Sequence, residues 1–147
     1  MQSKERYFVL PNQSIDDIPN DIQHLYLCGF KNYEYDNLIF VRNSFPQLKS
    51  ITIGNKCFEN VREFVIDGLE CLESVKIGYD CFRIDYDKER DDGICRITNC
   101  PNLTQLEIGN ESFADFKSFE LSHLNSIQSI IFGRACFGYA DLSLKGE

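Results

Sequence analysis

Seven cysteines, two histidines and twenty-three carboxylates are the residues of this 147-residue chain that could do chemistry. Thiolates ligate metals and act as nucleophiles, and for either role the cysteine spacing decides. A metal site wants clustered pairs such as C-x-x-C, and the nearest pair here, Cys95 and Cys100, stands five residues apart. No metal ligand set is expected, and no cofactor. His24 and Cys28 are four apart, the spacing that aligns a base with a thiol on a helix. The alternation Leu25-x-Leu27 instead marks this segment as a strand, where positions i and i+4 lie about 13 Å apart, beyond proton-transfer reach. His123 falls in a turn between repeats. The chain therefore reads as a non-enzyme with no catalytic residues.

The elements that must position these side chains follow from a repeat. Ile53-Gly54, Ile77-Gly78, Ile108-Gly109 and Phe132-Gly133 recur with glycines 24, 31 and 24 residues apart. Four residues after each glycine stands Phe58, Phe82, Phe113 or Phe137, preceded by Cys57, Cys81, Ser112 or Cys136. Upstream, Leu48-x-x-Ile51-x-Ile53 recurs at Leu72, Leu103 and Ile127. Downstream, Phe64-x-Ile66 recurs as Cys95-x-Ile97, Phe119-x-Leu121 and Leu142-x-Leu144. The 31-residue step is one period plus a charged surface loop within residues 83–93. A weaker first copy carries Leu25-x-Leu27 and Leu38-x-Phe40, with Cys28 in place of the glycine.

Each unit holds two short runs of strand period, so the expected fold is mainly β: a solenoid of about five coils with parallel ladders. Residues 1–22, which match nothing downstream, are expected as an N-terminal cap, and residues 23–147 as the solenoid, one domain overall. The glycine is assigned to a tight turn with positive φ. Phe58, Phe82, Phe113 and Phe137 are expected to form one inward column. Beyond Leu144 no cap is apparent, so the expectation is either that the chain ends inside a longer solenoid or that the last coil is covered by another chain, end-to-end self-association included.

The element Ile53-Gly54-Asn55-Lys56-Cys57-Phe58 and its copies, with the Leu-x-x-Ile-x-Ile strand, resemble the leucine-rich-repeat family, closest to its BspA-like (Treponema-type) repeats. The likeness covers residues 45–144 well and 22–44 weakly. This chain departs in its 24-residue period, in Cys or Ser where the family favours Ala, and in lacking a proline after the strand. The resemblance implies a curved solenoid that binds proteins or ligands, frequent among bacterial and protist surface or adhesion proteins. It supplies no catalytic residues.

Within that register five cysteines become packing residues: Cys57, Cys81 and Cys136 before the Phe column, and Cys95 and Cys100 at positions held elsewhere by Phe and Leu. Cys57 and Cys81 would stack on adjacent coils at a separation a disulfide could span, but free thiols are the expectation. The outward series are Tyr26, Thr52, Lys76, Glu107, Ile131 and Ile39, Val65, Arg96, Glu120, Ser143. Neither gathers the acids that a glycan-active enzyme needs. Inward columns repeat while outward ones vary, as in a module that holds shape and carries specificity outside. Tyr26, Ile39, Thr52, Val65, Lys76 and Arg96 are the candidate interaction face for a protein partner, with Ile39 and Val65 as an exposed apolar pair.

Net charge −8 disfavours nucleic acid as a partner. No apolar run approaches roughly 18 residues, so membrane insertion is not expected. Met1–Arg6 lacks an apolar leader, which makes a cytoplasmic location the expectation, or the cell surface if the chain is an excised fragment. The triplets at Asn12, Asn102 and Asn110 are taken as incidental glycosylation sequons.

Overall fold

A computed structural model describes residues 7–10, 17–28, 37–84, 93–137 and 141–145. Short apolar runs, alternating with polar residues in β2, β4 and β6, build β1 (Tyr7–Leu10), β2 (His24–Leu27), β3 (Asn37–Val41), β4 (Ser50–Ile53), β5 (Glu63–Asp67) and β6 (Ser74–Ile77). Runs of the same kind give β7 (Ile94–Thr98), β8 (Gln105–Ile108), β9 (Ser118–Ser122), β10 (Ser129–Phe132) and β11 (Asp141–Lys145). The strands form two sheets, ordered β1-β2-β4-β6-β8-β10 and β11-β9-β7-β5-β3, with every pair parallel. Five strand pairs stack in this way, so the chain winds through about four turns of a β-solenoid.

Register follows the repeat. Leu25, Ile51, Val75 and Leu106 face one another along one inward column, and all are fully buried. The N-terminal segment expected as a cap contains β1, which extends the six-stranded sheet by one parallel strand, Phe8 opposite Leu25 and Leu10 opposite Leu27. This strand stands outside the repeat period, because Phe8 precedes Leu25 by 17 residues rather than 24. Ile18 and Ile22 also join the core. Asn12 and residues 85–92 of the charged loop lie outside the described residues.

The Phe column forms as expected. Ring centroids step by 5.4, 4.5 and 4.9 Å from Phe58 through Phe82 and Phe113 to Phe137, the last two steps nearly coplanar. Phe64, Phe116 and Phe119 pack against the column from the second sheet and its corner.

The turns differ from expectation. Gly54, Gly78, Gly109 and Gly133 do not take positive φ; the left-handed residues are two and four positions later. Lys56 and Phe58, Asp80 and Phe82, Glu111 and Phe113, and Ala135 and Phe137 all lie at φ between 53° and 63°. A bulky residue in that region loses about 1–2 kcal/mol, which burial of a phenyl ring of about 1.5–3 kcal/mol offsets. The glycines serve instead to let coils approach. A Cβ on Gly109 would stand 2.6 Å from the carbonyl carbon of Gly78 and 2.7 Å from the nitrogen of Tyr79. Hydrogen bonds from Gly54, Gly78, Gly109 and Gly133 N–H to the preceding coil carry the ladder past the strand ends.

The small slot before each phenylalanine holds more than packing. Cys81, Ser112 and Cys136 donate from Sγ or Oγ to the carbonyls of Gly54, Gly78 and Gly109 one coil back, at 3.0, 2.7 and 3.0 Å. Ser112 also accepts from the Cys81 N–H at 3.0 Å, and it is fully buried. Ser112→Ala leaves the buried Cys81 N–H and the half-buried Gly78 carbonyl without these partners, and an expected loss of about 1–2 kcal/mol follows. Ser112→Cys, which restores the donor used in the neighbouring coils, should recover most of it. Parallel urea melts of the two variants check this.

Candidate functional site

All seven cysteines are free thiols. Cys57, Cys81, Cys95 and Cys100 are buried, Cys136 is half-buried, and Cys28 and Cys71 are exposed. The packing expectation therefore holds for the inward set, and no bridge joins Cys57 to Cys81. Burial pushes the Cys81, Cys95, Cys100 and Cys136 thiols above the usual cysteine range, because a thiolate inside the core loses its hydration. Only the thiolate reacts, so a thiol reagent applied to the native protein should label Cys28 and Cys71 ahead of these four. Titration in denaturant without reductant should count all seven; a lower count would mean a disulfide.

His24 Nδ1 meets Ser50 Oγ at 2.6 Å across the β2–β4 step, and His123 is exposed in the turn after β9 at φ 54°. Among the described residues no three His, Cys, Asp or Glu side chains gather as metal ligands would. The acidic corner after β5 has a structural task. Asp67 accepts from Asn99 Nδ2 and Thr98 Oγ1, both at 2.8 Å, and the Asn99 bond leads the effects that lower its pKa below the usual carboxylate range.

The six candidate face residues divide between the sheets. Tyr26, Thr52 and Lys76 lie in register on the outer face of the six-stranded sheet, followed by Glu107 and Ile131. Ile39, Val65 and Arg96 lie in register on the five-stranded sheet. Ile39 is 42% exposed, but Val65 is only 8% exposed, so the expected exposed apolar pair does not exist. A short valine flanked in register by the longer Ile39 and Arg96 is shielded from water on both sides.

On the six-stranded sheet a groove of about 510 Å³ runs across successive coils. Its outward strand positions are Thr52, Lys76, Glu107 and Ile131, and its turn positions include Asn55, Tyr79 and Asn110. Of the sequence-derived candidates only Thr52 and Lys76 line it. Tyr79, 47% exposed, was not singled out, nor were the two asparagines. The signal was the position after each glycine, which reads Asn55, Tyr79, Asn110, Arg134. In alternate coils its asparagine caps the next turn: Asn55 Oδ1 accepts from Tyr79 N–H at 3.0 Å and Asn110 Oδ1 from Arg134 N–H at 2.7 Å. Each amide thereby commits its oxygen and keeps its NH₂ as a donor beside the groove.

The same ladder step behaves differently on the two sheets. Arg96 and Glu120, in register, close an ion pair at 3.2 Å. Lys76 and Glu107, also in register, close none. Their charges, the Tyr79 ring, the asparagine NH₂ groups and Ile131 form a mixed polar and apolar lining that suits recognition. No family model, curated protein or solved structure matches the chain.

Proposed function

We propose that the chain is a non-catalytic interaction module that binds a protein partner in the groove on its six-stranded sheet. The observation that carries this reading is the contrast between columns. From β2 to β9 the inward positions repeat coil after coil and are buried, whereas the groove positions Thr52, Lys76, Glu107 and Ile131 change at every step. A stack that is regular inside and individual outside separates the task of holding shape from that of recognition. Resemblance to the BspA-like leucine-rich repeats, on the Ile-Gly-x-x-Cys-Phe elements, supports the same reading.

Panning a random displayed-peptide library on the immobilised protein tests it. Peptides enriched on the wild type should lose binding to Lys76→Glu and Tyr79→Ala, with circular dichroism showing both variants folded, and keep it for Arg96→Glu on the other sheet. Enriched peptides indifferent to Lys76 and Tyr79 would remove the groove from consideration.

A purely structural, self-associating segment is the second reading, and the exposure of β10 favours it.

A further inference from the structure

The inward columns of the six-stranded sheet end abruptly. Leu106 and Ile108 of β8 are 0% and 1% exposed, whereas Ile130 and Phe132, their in-register partners on β10, are 43% and 37% exposed. Ile131, on the outer face, is 50% exposed, so three consecutive large apolar residues lie along an edge strand. An unprotected apolar edge is a template for pairing with another strand. The positions themselves say what fits. Each earlier coil covers its predecessor with a parallel strand of pattern apolar-x-apolar placed in register.

Among the described residues, the strand at the other edge of the same sheet is β1. It runs parallel to the rest, and its Phe8 and Leu10 hold the register positions of Leu25 and Leu27. We infer that the protein associates head to tail, with β10 of one copy pairing in parallel with β1 of the next, Ile130 opposite Phe8 and Phe132 opposite Leu10. Pairing of β10 with itself about a two-fold axis would run the strands antiparallel and take the inward columns out of line. A β10-to-β1 contact is heterologous: it leaves a free edge at each end and propagates into short filaments. Among the described residues β1 has no counterpart strand beyond β3 in the five-stranded sheet, so only the six-stranded sheet is continuous across the junction. The contact is independent of the groove.

Sedimentation velocity from micromolar to millimolar concentration tests the association. The expected mass rises from 17.0 kDa through multiples of it, and Ile130→Lys, with an unchanged circular dichroism spectrum, returns the chain to monomer. Mild oxidation of double-cysteine variants tests the register. Val9→Cys with Ile131→Cys places two thiols at in-register positions of adjacent strands, at a separation of about 5 Å that a disulfide spans. Peptide mapping should find that intermolecular bridge, and should find none for Val9→Cys with Ser129→Cys. A constant mass at all concentrations, association that survives Ile130→Lys, or an Ile131–Ile131 bridge in the single Ile131→Cys variant would each overturn the head-to-tail contact.

Discussion

Phe82→Ala lowers the unfolding free energy by about 3–5 kcal/mol, a large share of the stability of a domain this size. The ring is fully buried at the centre of the column, stacked on Phe113 at 4.5 Å and on Phe58 at 5.4 Å, tilted against Phe64 at 4.8 Å and edge-on to Phe116 at 6.3 Å. None of these neighbours is free to collapse into the gap. Phe113 N–H is tied to the Cys81 carbonyl, and Phe82's own N–H to that of Cys57, so the coils keep their spacing while the ring is lost. The substitution also keeps the cost of a left-handed residue at φ 56° while removing the burial that offset it. In a stack stabilised by nearest-neighbour contacts, a gap at the middle uncouples the two ends. The urea transition should therefore broaden as well as shift. Phe82→Leu, which refills much of the volume, should retain over half the lost stability. A loss below about 1 kcal/mol for the alanine variant would mean that the column is not the core.

The column was legible in the sequence because a side chain repeated at a fixed period in a parallel stack must meet its own copies. Register was legible for the same reason: once Ile53-Gly54 and Ile77-Gly78 are aligned, every pair from β2 to β11 follows. β1 was not, because its spacing to β2 is set by the chain between them and not by the repeat. Backbone conformation was also hidden. Nothing in the letters marks Lys56 or Phe58 as left-handed, since these residue types avoid that region in isolation and adopt it here under the constraint of the stacked corner.

The site was legible only by halves. The outward series placed Thr52, Lys76, Glu107 and Ile131 on one face correctly, because strand alternation fixes which face a residue takes. Exposure depends on neighbours as well as on face, and so Val65, an outward residue, is covered. The turn residues Asn55, Tyr79 and Asn110 were missed because alternation stops at the strand end; beyond it, position follows the path of the turn. Whether in-register charges pair likewise escapes sequence: Arg96 with Glu120 does and Lys76 with Glu107 does not, although both are one coil apart.

Gly109→Ala destabilises by about 3 kcal/mol, at the upper end of overpacking, while Gly54→Ala changes stability by less than about 0.5 kcal/mol. If these glycines served a left-handed turn, the two substitutions would cost the same, since both occupy the same place in the repeat. Neither has positive φ, so the difference rests on what a methyl group meets. On Gly109 it meets the Gly78 carbonyl carbon and oxygen at 2.6 and 2.7 Å and Tyr79 N at 2.7 Å, all backbone. Making room means parting two coils at the bond from Gly109 N–H to the Ile77 carbonyl, now 2.8 Å, and at the Ser112 hydroxyl bond to the Gly78 carbonyl. On Gly54 the nearest atom is Cys28 Cβ at 3.5 Å and the next is the Leu27 carbonyl oxygen at 3.7 Å, ordinary contact distances. The first coil, where Cys28 replaces the glycine, thus leaves a gap that later coils close. Thermal and urea melts of the two variants side by side decide between the explanations. Equal losses would return the glycines to a conformational role; unequal ones, in the order given, make coil spacing the reason for their recurrence.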